Sequence, residues 1–349
     1  MTLQIPQTTM PFPANIINKF TGELPNWWGG PIKKLEPRVT IVYDGLVSAG
    51  KITGWPHNVI SRVEGPSGEL VVDSAFWRIS RISMDPPDLN SQRTQATFCK
   101  GEYIYLGWLI GHYGHFLTES LSRYWYCLKS GATKKFVIHA NFRKFSELPQ
   151  HVASTLNCFG INESNLIIAH KPYRFECLHC PAPAIRCDDS SAPHLLHIYN
   201  HISKKLTHSQ TQNFKNKKIY ISRSSLSNNA RQFNETEISR VFSDFGFTLI
   251  SPENLSFEEQ VGIYTNSEFM AGPVGSGVHN AVFMPQNSRL LVVAPNCFLF
   301  RNDSLLSSAC NYDTSYHIVN SGSAKISQQG WQVDCHELSK SLNKWLSDT

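Results

Sequence analysis

Residues 247–285 read FTLISPENLSFEEQVGIYTNSEFMAGPVGSGVHNAVFMP. Two β-type runs, FTLIS and EFMAGP, bracket the helically spaced stretch SFEEQVGIYTN. Ser256 and Glu259 stand three apart at its start, the pattern of a capping box. A glycine-rich turn follows the second run and leads into a short helix, GSGVHNAVFM, which Pro285 stops. Strand, helix, strand, helix is the rhythm of a parallel sheet wound by crossover helices.

The rhythm extends in both directions. KIYISR (218–223) reads as a strand, and NETEISRVFSDF (234–245) as a helix with Ile238, Val241, Phe242 and Phe245 on one face. Asn234 is placed to cap that helix, Glu237 lies three residues on, and Gly246 ends it. SRLLVVAP (288–295) is a further strand, and 335–346 has the apolar spacing of a last amphipathic helix. Upstream, GEYIYLGW, KKFVIHA and NLIIAH read as strands; 111–129, SELPQHVASTLNCFG and PHLLHIYNHISKKL read as helices. Between the two series lies the polar run THSQTQNFKNKK. These patterns predict an α/β fold of two Rossmann-like domains facing across a cleft. The expected divisions are 1–97, an irregular segment with strands such as RVTIVYD and ELVVD; 98–206, the first domain; 207–218, the linker; 219–330, the second domain; and 331–349, a C-terminal helix.

With 349 residues, 41% of them hydrophobic and 17% charged, the chain is long enough for a sizeable core and is not of the disordered class. The net charge of +5 is mild, and no aromatic-interleaved basic stripe points to nucleic acid. No run approaches the ~18 apolar residues of a membrane span. The first residues, MTLQIPQTTMPFP, lack the pattern of a secretory signal, and the nine cysteines follow no regular spacing. Both features set the expectation of a cytoplasmic location with reduced thiols, in which the sequons at Asn162, Asn234, Asn254 and Asn302 are chance.

Three stretches carry groups suited to chemistry. AGPVGSGVHN (271–280) places glycines between a strand and a helix, where backbone N–H groups approach an anion; it is neither a Walker A loop nor a dinucleotide fingerprint. ISRSSLSNNARQF follows a strand directly, so Arg223 and Arg231 lie at a strand's carboxyl end, where open α/β sheets hold their ligands. Arginine is the usual bidentate partner of phosphate. Finally, GHYGHFLTESLSRYW (111–125) sets His112, His115, Glu119 and Arg123 within roughly 80° of one another on a helix, at about 100° per residue. Leu117, Leu121 and Leu128 gather on the other side. Four titratable groups beside aromatics suit a wet cleft better than a core. CLHC (177–180) has metal-ligand spacing but no second pair, so no metal site is expected.

Taken in order, GHYGHFLTESLSRYW, KIYISRSS…ARQFNETEI, FTLISPENLSFEEQVGIYTNSE and AGPVGSGVHNAVFMP resemble glycosyltransferase family 61 over roughly residues 100–295. The resemblance implies a GT-B architecture and an inverting transferase that takes a nucleotide-sugar donor, needs no other cofactor and binds no metal. It implies a carbohydrate or glycolipid acceptor, and bacterial surface polysaccharide (capsule or lipopolysaccharide) as the product. A cytoplasmic enzyme peripheral to the inner membrane face or to a polysaccharide-assembly complex fits that role.

Single-displacement inversion needs a base for the acceptor hydroxyl and positive groups for the departing diphosphate. His115 is the first candidate for base, because imidazole titrates near neutrality. Glu119 is the second, or else orients His115 or the acceptor. Within this reading Arg223, Arg231 and the turn Gly275–Ser276–Gly277 hold the diphosphate, with His279 and Asn280 beside them. Glu253 is assigned to the nucleoside ribose, and His112 and Arg123 to the acceptor. Two rivals share the pattern: a GT-B epimerase or phosphorylase, and a non-enzymatic carbohydrate-binding subunit.

Overall fold

The computed structural model describes residues 9–10, 12, 14–53, 58–78, 81–82, 85–86, 88–130, 135–187, 189–207, 217–224, 233–321 and 330–348. Two compact units emerge, one of Lys34–Ile202 and one of Met1–Lys33 with Ser203–Thr349.

In the first unit the strands are β1 (Val39–Val47), β2 (Val63–Glu64), β3 (Thr97–Leu109), β4 (Lys135–Ala140), β5 (Leu166–Ile168) and β6 (Tyr173–Pro181). They form one sheet in the order β5-β4-β3-β6-β1-β2. β5, β4, β3 and β6 run parallel, and β1 and β2 are added antiparallel. Among the parallel strands the order reverses between β3 and β6, which makes that gap a topological switch point. Helices α1 (Tyr113–Thr118), α2 (Gln150–Cys158) and α3 (Leu195–Leu206) punctuate the series. Val42, Val47, Tyr105, Val137, Phe175 and Leu178 belong to its core cluster.

Residues 34–97, set apart on sequence, share this unit, because β1 pairs with β6 along nine-residue strands. Within ELVVD, Leu70 makes only an isolated bridge and Val72–Ser74 is a 3-10 turn. CLHC lies inside β6, where three residues of separation send Cys177 and Cys180 to opposite faces; both are buried free thiols.

The second unit contains β7 (Lys218–Ile221), α4 (Glu235–Asp244), β8 (Thr248–Ile250), α5 (Phe257–Tyr264), β9 (Phe269–Pro273), β10 (Arg289–Pro295), α6 (Asn302–Cys310), β11 (Asp313–Val319) and α7 (Cys335–Ser347). Its sheet order is β8-β7-β9-β10-β11, with the short strand Asn15–Ile16 at the far edge. Every pairing is parallel. Here the order reverses between β7 and β9. Ile17, Tyr220, Phe242, Leu291, Trp331 and Trp345 are among the buried residues of its core.

Local chemistry explains most element ends. The capping box of α5 forms: the Glu259 N–H donates to Ser256 Oγ at 3.2 Å, and the Ser256 N–H donates to the Glu259 carboxylate at 2.8 Å. Asn234 does not cap α4. Its amide instead exchanges two hydrogen bonds with the backbone of Val333, fastening the helix start to the chain before α7. Strand β11 and helix α6 carry no periodic signal strong enough to appear in the sequence reading; both are almost wholly buried, which erases polar–apolar alternation.

Candidate active site

The expected single helix over 111–129 is three pieces: α1, a 3-10 segment Ser120–Tyr126, and a final turn Cys127–Ser130. Ser120 Oγ accepts the Ile110 N–H at 2.8 Å, and the Ser122 carbonyl accepts the Ala184 N–H at 2.7 Å. Those bonds draw the segment onto the carboxyl ends of β3 and β6 and tighten its winding. The wheel drawn at α-helical pitch therefore fails beyond Glu119.

The consequences are specific. His115 and Glu119 remain together: His115 Nδ1 lies 2.7 Å from Glu119 Oε2, with the two side chains 24% and 5% exposed. His112 caps position-wise but makes no side-chain cap bond, and its ring sits 5.0 Å from that of His115. Arg123 leaves the stripe. It is buried, and its guanidinium donates to the carbonyls of Pro181, Asp73 and Ala75 at 3.1, 2.8 and 2.9 Å. Burial pulls its pKa below the usual guanidinium value. Leu117 and Leu121 are fully buried as expected, whereas Leu128 is 37% exposed. A cavity of about 10 Å³ lies against Glu119, Ser122, Arg123 and Arg186. That is room for one water molecule.

In the second unit, the loops after β7, β8 and β9 bring the other candidates to one sheet edge. Ser222 and Arg223 follow β7 at the switch point, and the glycine turn follows β9, the neighbouring strand. Gly275 adopts φ 146°, a conformation that residues with side chains rarely reach. A Cβ on Gly277 would stand 2.9 Å from Ile221 Cγ2, so only glycine lets this turn close on the end of β7. Among the described residues, the N–H groups of Gly275, Ser276 and Gly277 make no hydrogen bond. Consecutive N–H groups left without a hydrogen bond are donors that an anion can take. The helix expected after them is a six-residue 3-10 turn, Val278–Phe283.

Arg223 is partly buried, and burial lowers its pKa against the opposing pull of Glu235, Glu253 and Tyr220. Glu235, at the start of α4, accepts from Ser222 Oγ at 2.9 Å and from the Arg223 N–H at 3.1 Å, and so shapes the loop. Glu253 is exposed in the turn after β8, which Gln260 braces by donating to Pro252 and Leu255 carbonyls. A groove of about 470 Å³ opens beside this loop, its walls including Ser222, Ser224, Ser239, Arg240 and Ser251. Arg231 lies outside the described residues. Asn280 is fully buried, donating to the Gly277 carbonyl at 3.0 Å and to the Tyr264 hydroxyl at 3.4 Å, and so braces the glycine turn from within.

His279 makes the contact that sequence reading missed. Its Nδ1 lies 2.7 Å from Asp303 Oδ1, and the two side chains are 9% and 1% exposed. Asp303 stands in the first turn of α6, 24 residues on, where spacing offers no signal. Glu235 was missed for another reason: it reads as an ordinary acidic first-turn residue.

A family model, Glycosyltransferase 61, matches residues 113–291, just over half of the chain. The chain belongs to glycosyltransferase family 61. A search among curated proteins finds no match. The match runs from the start of α1 into β10 and so takes in both the His115–Glu119 couple and the Arg223 and glycine-turn loops. Membership supports glycosyltransferase activity, with a sugar donor and an acceptor as substrates. Among the described residues no helix of this glycosyltransferase is long and apolar enough to cross a membrane.

Proposed function

We propose that this protein is an inverting, metal-independent glycosyltransferase of GT-B type. It moves a sugar from a nucleotide-sugar to a carbohydrate or glycolipid acceptor in the cytoplasm, for surface polysaccharide synthesis. What supports the donor site is that Arg223 and three backbone N–H groups, unbonded among the described residues, follow adjacent parallel strands at their carboxyl ends. A guanidinium and a set of peptide N–H groups neutralise a diphosphate without a cation. The groove that Ser222, Ser224, Ser239 and Ser251 line has room for the nucleoside, and Glu253, two residues after Ser251, is the proposed ribose partner.

The base in this reading is His115. The Glu119 carboxylate, 2.7 Å from Nδ1, orients the His115 ring. Nε2 takes the acceptor's hydroxyl proton as its oxygen attacks the anomeric carbon, and the diphosphate leaves with the bonding electron pair. Glu119 then stabilises the imidazolium. One attack from the face opposite the leaving group inverts the anomeric centre.

A thermal-shift panel tests the donor site. One of UDP, GDP, CDP or ADP at ~100 times its dissociation constant stabilises the fold by about 2.7 kcal/mol. Arg223→Ala abolishes most of the diphosphate's effect and keeps that of the parent nucleoside. Equal loss of both means that Arg223 is structural. Turnover persists in EDTA, and an absolute requirement for a divalent ion overturns the metal-independent reading.

A further inference from the structure

His279 and Asp303 form a buried histidine–carboxylate couple in the unit that carries the glycine turn, separate from the His115–Glu119 couple. His279 stands two residues after Gly277, at the carboxyl end of β9. Asp303 comes from α6, which follows the adjacent strand β10. Both therefore belong to the sheet edge that presents the unbonded N–H groups of residues 275–277.

Asp303 is fully buried, and among the described residues its one hydrogen bond is to His279 Nδ1, with Oδ2 unpartnered. A buried carboxylate is strongly disfavoured unless a positive group balances it. Among the described residues no other cation is ion-paired with Asp303: Arg301, at the start of the same helix, donates to the carbonyls of Gly30 and Pro31 instead. From α5 comes the Tyr264 hydroxyl, which meets Asn280; behind Asp303 stands Tyr316, which burial and the Asp303 charge push well above the usual phenol value. β9 and β10 add apolar side chains, apart from Arg289 at the opposite, amino end of β10. No described residue bonds Nε2 of His279. The carboxylate thus fixes a proton on Nδ1 and leaves Nε2 for a ligand.

We propose that Asp303 is a positioning residue that holds His279 as an imidazolium whose Nε2–H donates to a phosphate oxygen of the leaving nucleoside diphosphate. This assignment rests on the donor-site reading above. In the transfer, the bond between the anomeric carbon and the diphosphate oxygen breaks and its electron pair stays on that oxygen. The His279 cation stabilises the new charge by a hydrogen bond and keeps its proton. The acceptor's proton goes to His115, so no co-reactant is needed.

The test is calorimetric titration of the full chain with UDP, GDP, CDP and ADP between pH 6 and 8.5, for wild type, His279→Gln, Asp303→Asn and Asp303→Glu. The tightest nucleotide's own ionisation is common to all four proteins and cancels in comparison. Relative to His279→Gln, wild-type affinity falls about tenfold as pH rises, because the cationic donor is lost. In Asp303→Asn that fall moves to lower pH, and Asp303→Glu returns it toward wild type. Wild type and His279→Gln with superimposable pH profiles overturn the proposal, and this pair decides even if Asp303→Asn does not fold. A folded Asp303→Asn with the wild-type profile overturns the positioning role. If no nucleoside diphosphate binds wild type at any pH, the donor-site reading itself has failed.

Discussion

Two histidines in this glycosyltransferase hand Nδ1 to a carboxylate at the same 2.7 Å, yet the two couples are built in opposite ways. His115 and Glu119 are four residues apart, one turn of a single helix, and His115 keeps 24% of its side chain exposed. His279 and Asp303 are 24 residues apart, joined only because β9 and β10 are neighbours, and both are nearly sealed. A local couple on a rim suits a group that meets an incoming hydroxyl and exchanges a proton. A long-range couple set into the core suits one that holds a hydrogen-bond donor in a fixed position. On the proposed reading, one Nδ1–carboxylate distance serves two tasks, set apart by exposure and by the rigidity of what supports each couple.

The sharpest way to break the comparison is to remove the exposed imidazole. His115→Ala lowers turnover by roughly 10² or more, as expected for a lost general base, while nucleoside diphosphate affinity stays near wild type. Glu119→Gln retains more activity, since the ring keeps its base and loses only its orienting charge. Leu121→Ala, fully buried in the same segment, does the converse: it costs roughly 2–5 kcal/mol of stability and spares the chemistry of the folded fraction. Steady-state kinetics with chemical denaturation separates the two. Wild-type turnover in His115→Ala at saturating substrates removes His115 from the mechanism.

A third histidine, without any acid partner, sharpens the comparison. His139 is buried in β4, its Nε2–H donating to the Ser48 carbonyl at 2.8 Å and its Nδ1 accepting from the Tyr105 hydroxyl at 2.8 Å. Burial lowers its pKa to about 4, so the folded protein holds it neutral. The unfolded chain has an ordinary histidine near ~6.5, and between the two values it binds the extra proton. The associated stability is present in full above ~6.5 and is lost as pH falls toward 4, on the order of 3 kcal/mol. Denaturant titrations at pH 7.5 and 4.5, with the His139 ring followed by nitrogen-resolved NMR, measure it. A ring that titrates near 6.5 in the folded protein contradicts this reading.

The same division between local and distant contacts governs what the sequence could disclose. Strand–helix alternation predicted the α/β class, and the Ser256–Glu259 box formed because all its atoms lie within one turn. The His115–Glu119 pair was legible for that reason. Arg123 was not, because carbonyls of Asp73, Ala75 and Pro181, far along the chain, pull it inward and rewind its helix. Asp303 was invisible, as was the pairing of β1 with β6 that joins residues 34–97 to the first sheet. Sequence periodicity reports the face an element buries, not the partner buried against it.

The smallest expected effect concerns the turn that carries Glu253. Ser256 caps α5 immediately after the turn that carries Glu253, and Gln260 on the next helical turn ties down the Pro252 and Leu255 carbonyls. Ser256→Ala removes the acceptor for the Glu259 N–H and costs about 1 kcal/mol of stability, the usual worth of a serine cap. Gln260 still fastens the loop, so Glu253 keeps its place and nucleoside diphosphate affinity changes less than twofold, well under the ~1.4 kcal/mol of a tenfold change. Ser256→Ala combined with Gln260→Ala releases both ties, and there the nucleoside component of affinity drops. Calorimetry with nucleoside and nucleoside diphosphate on the single and double variants checks the order. If the single variant already loses nucleotide affinity, the cap itself shapes the donor site, and the second unit then depends on a local contact as strongly as His115 does on Glu119.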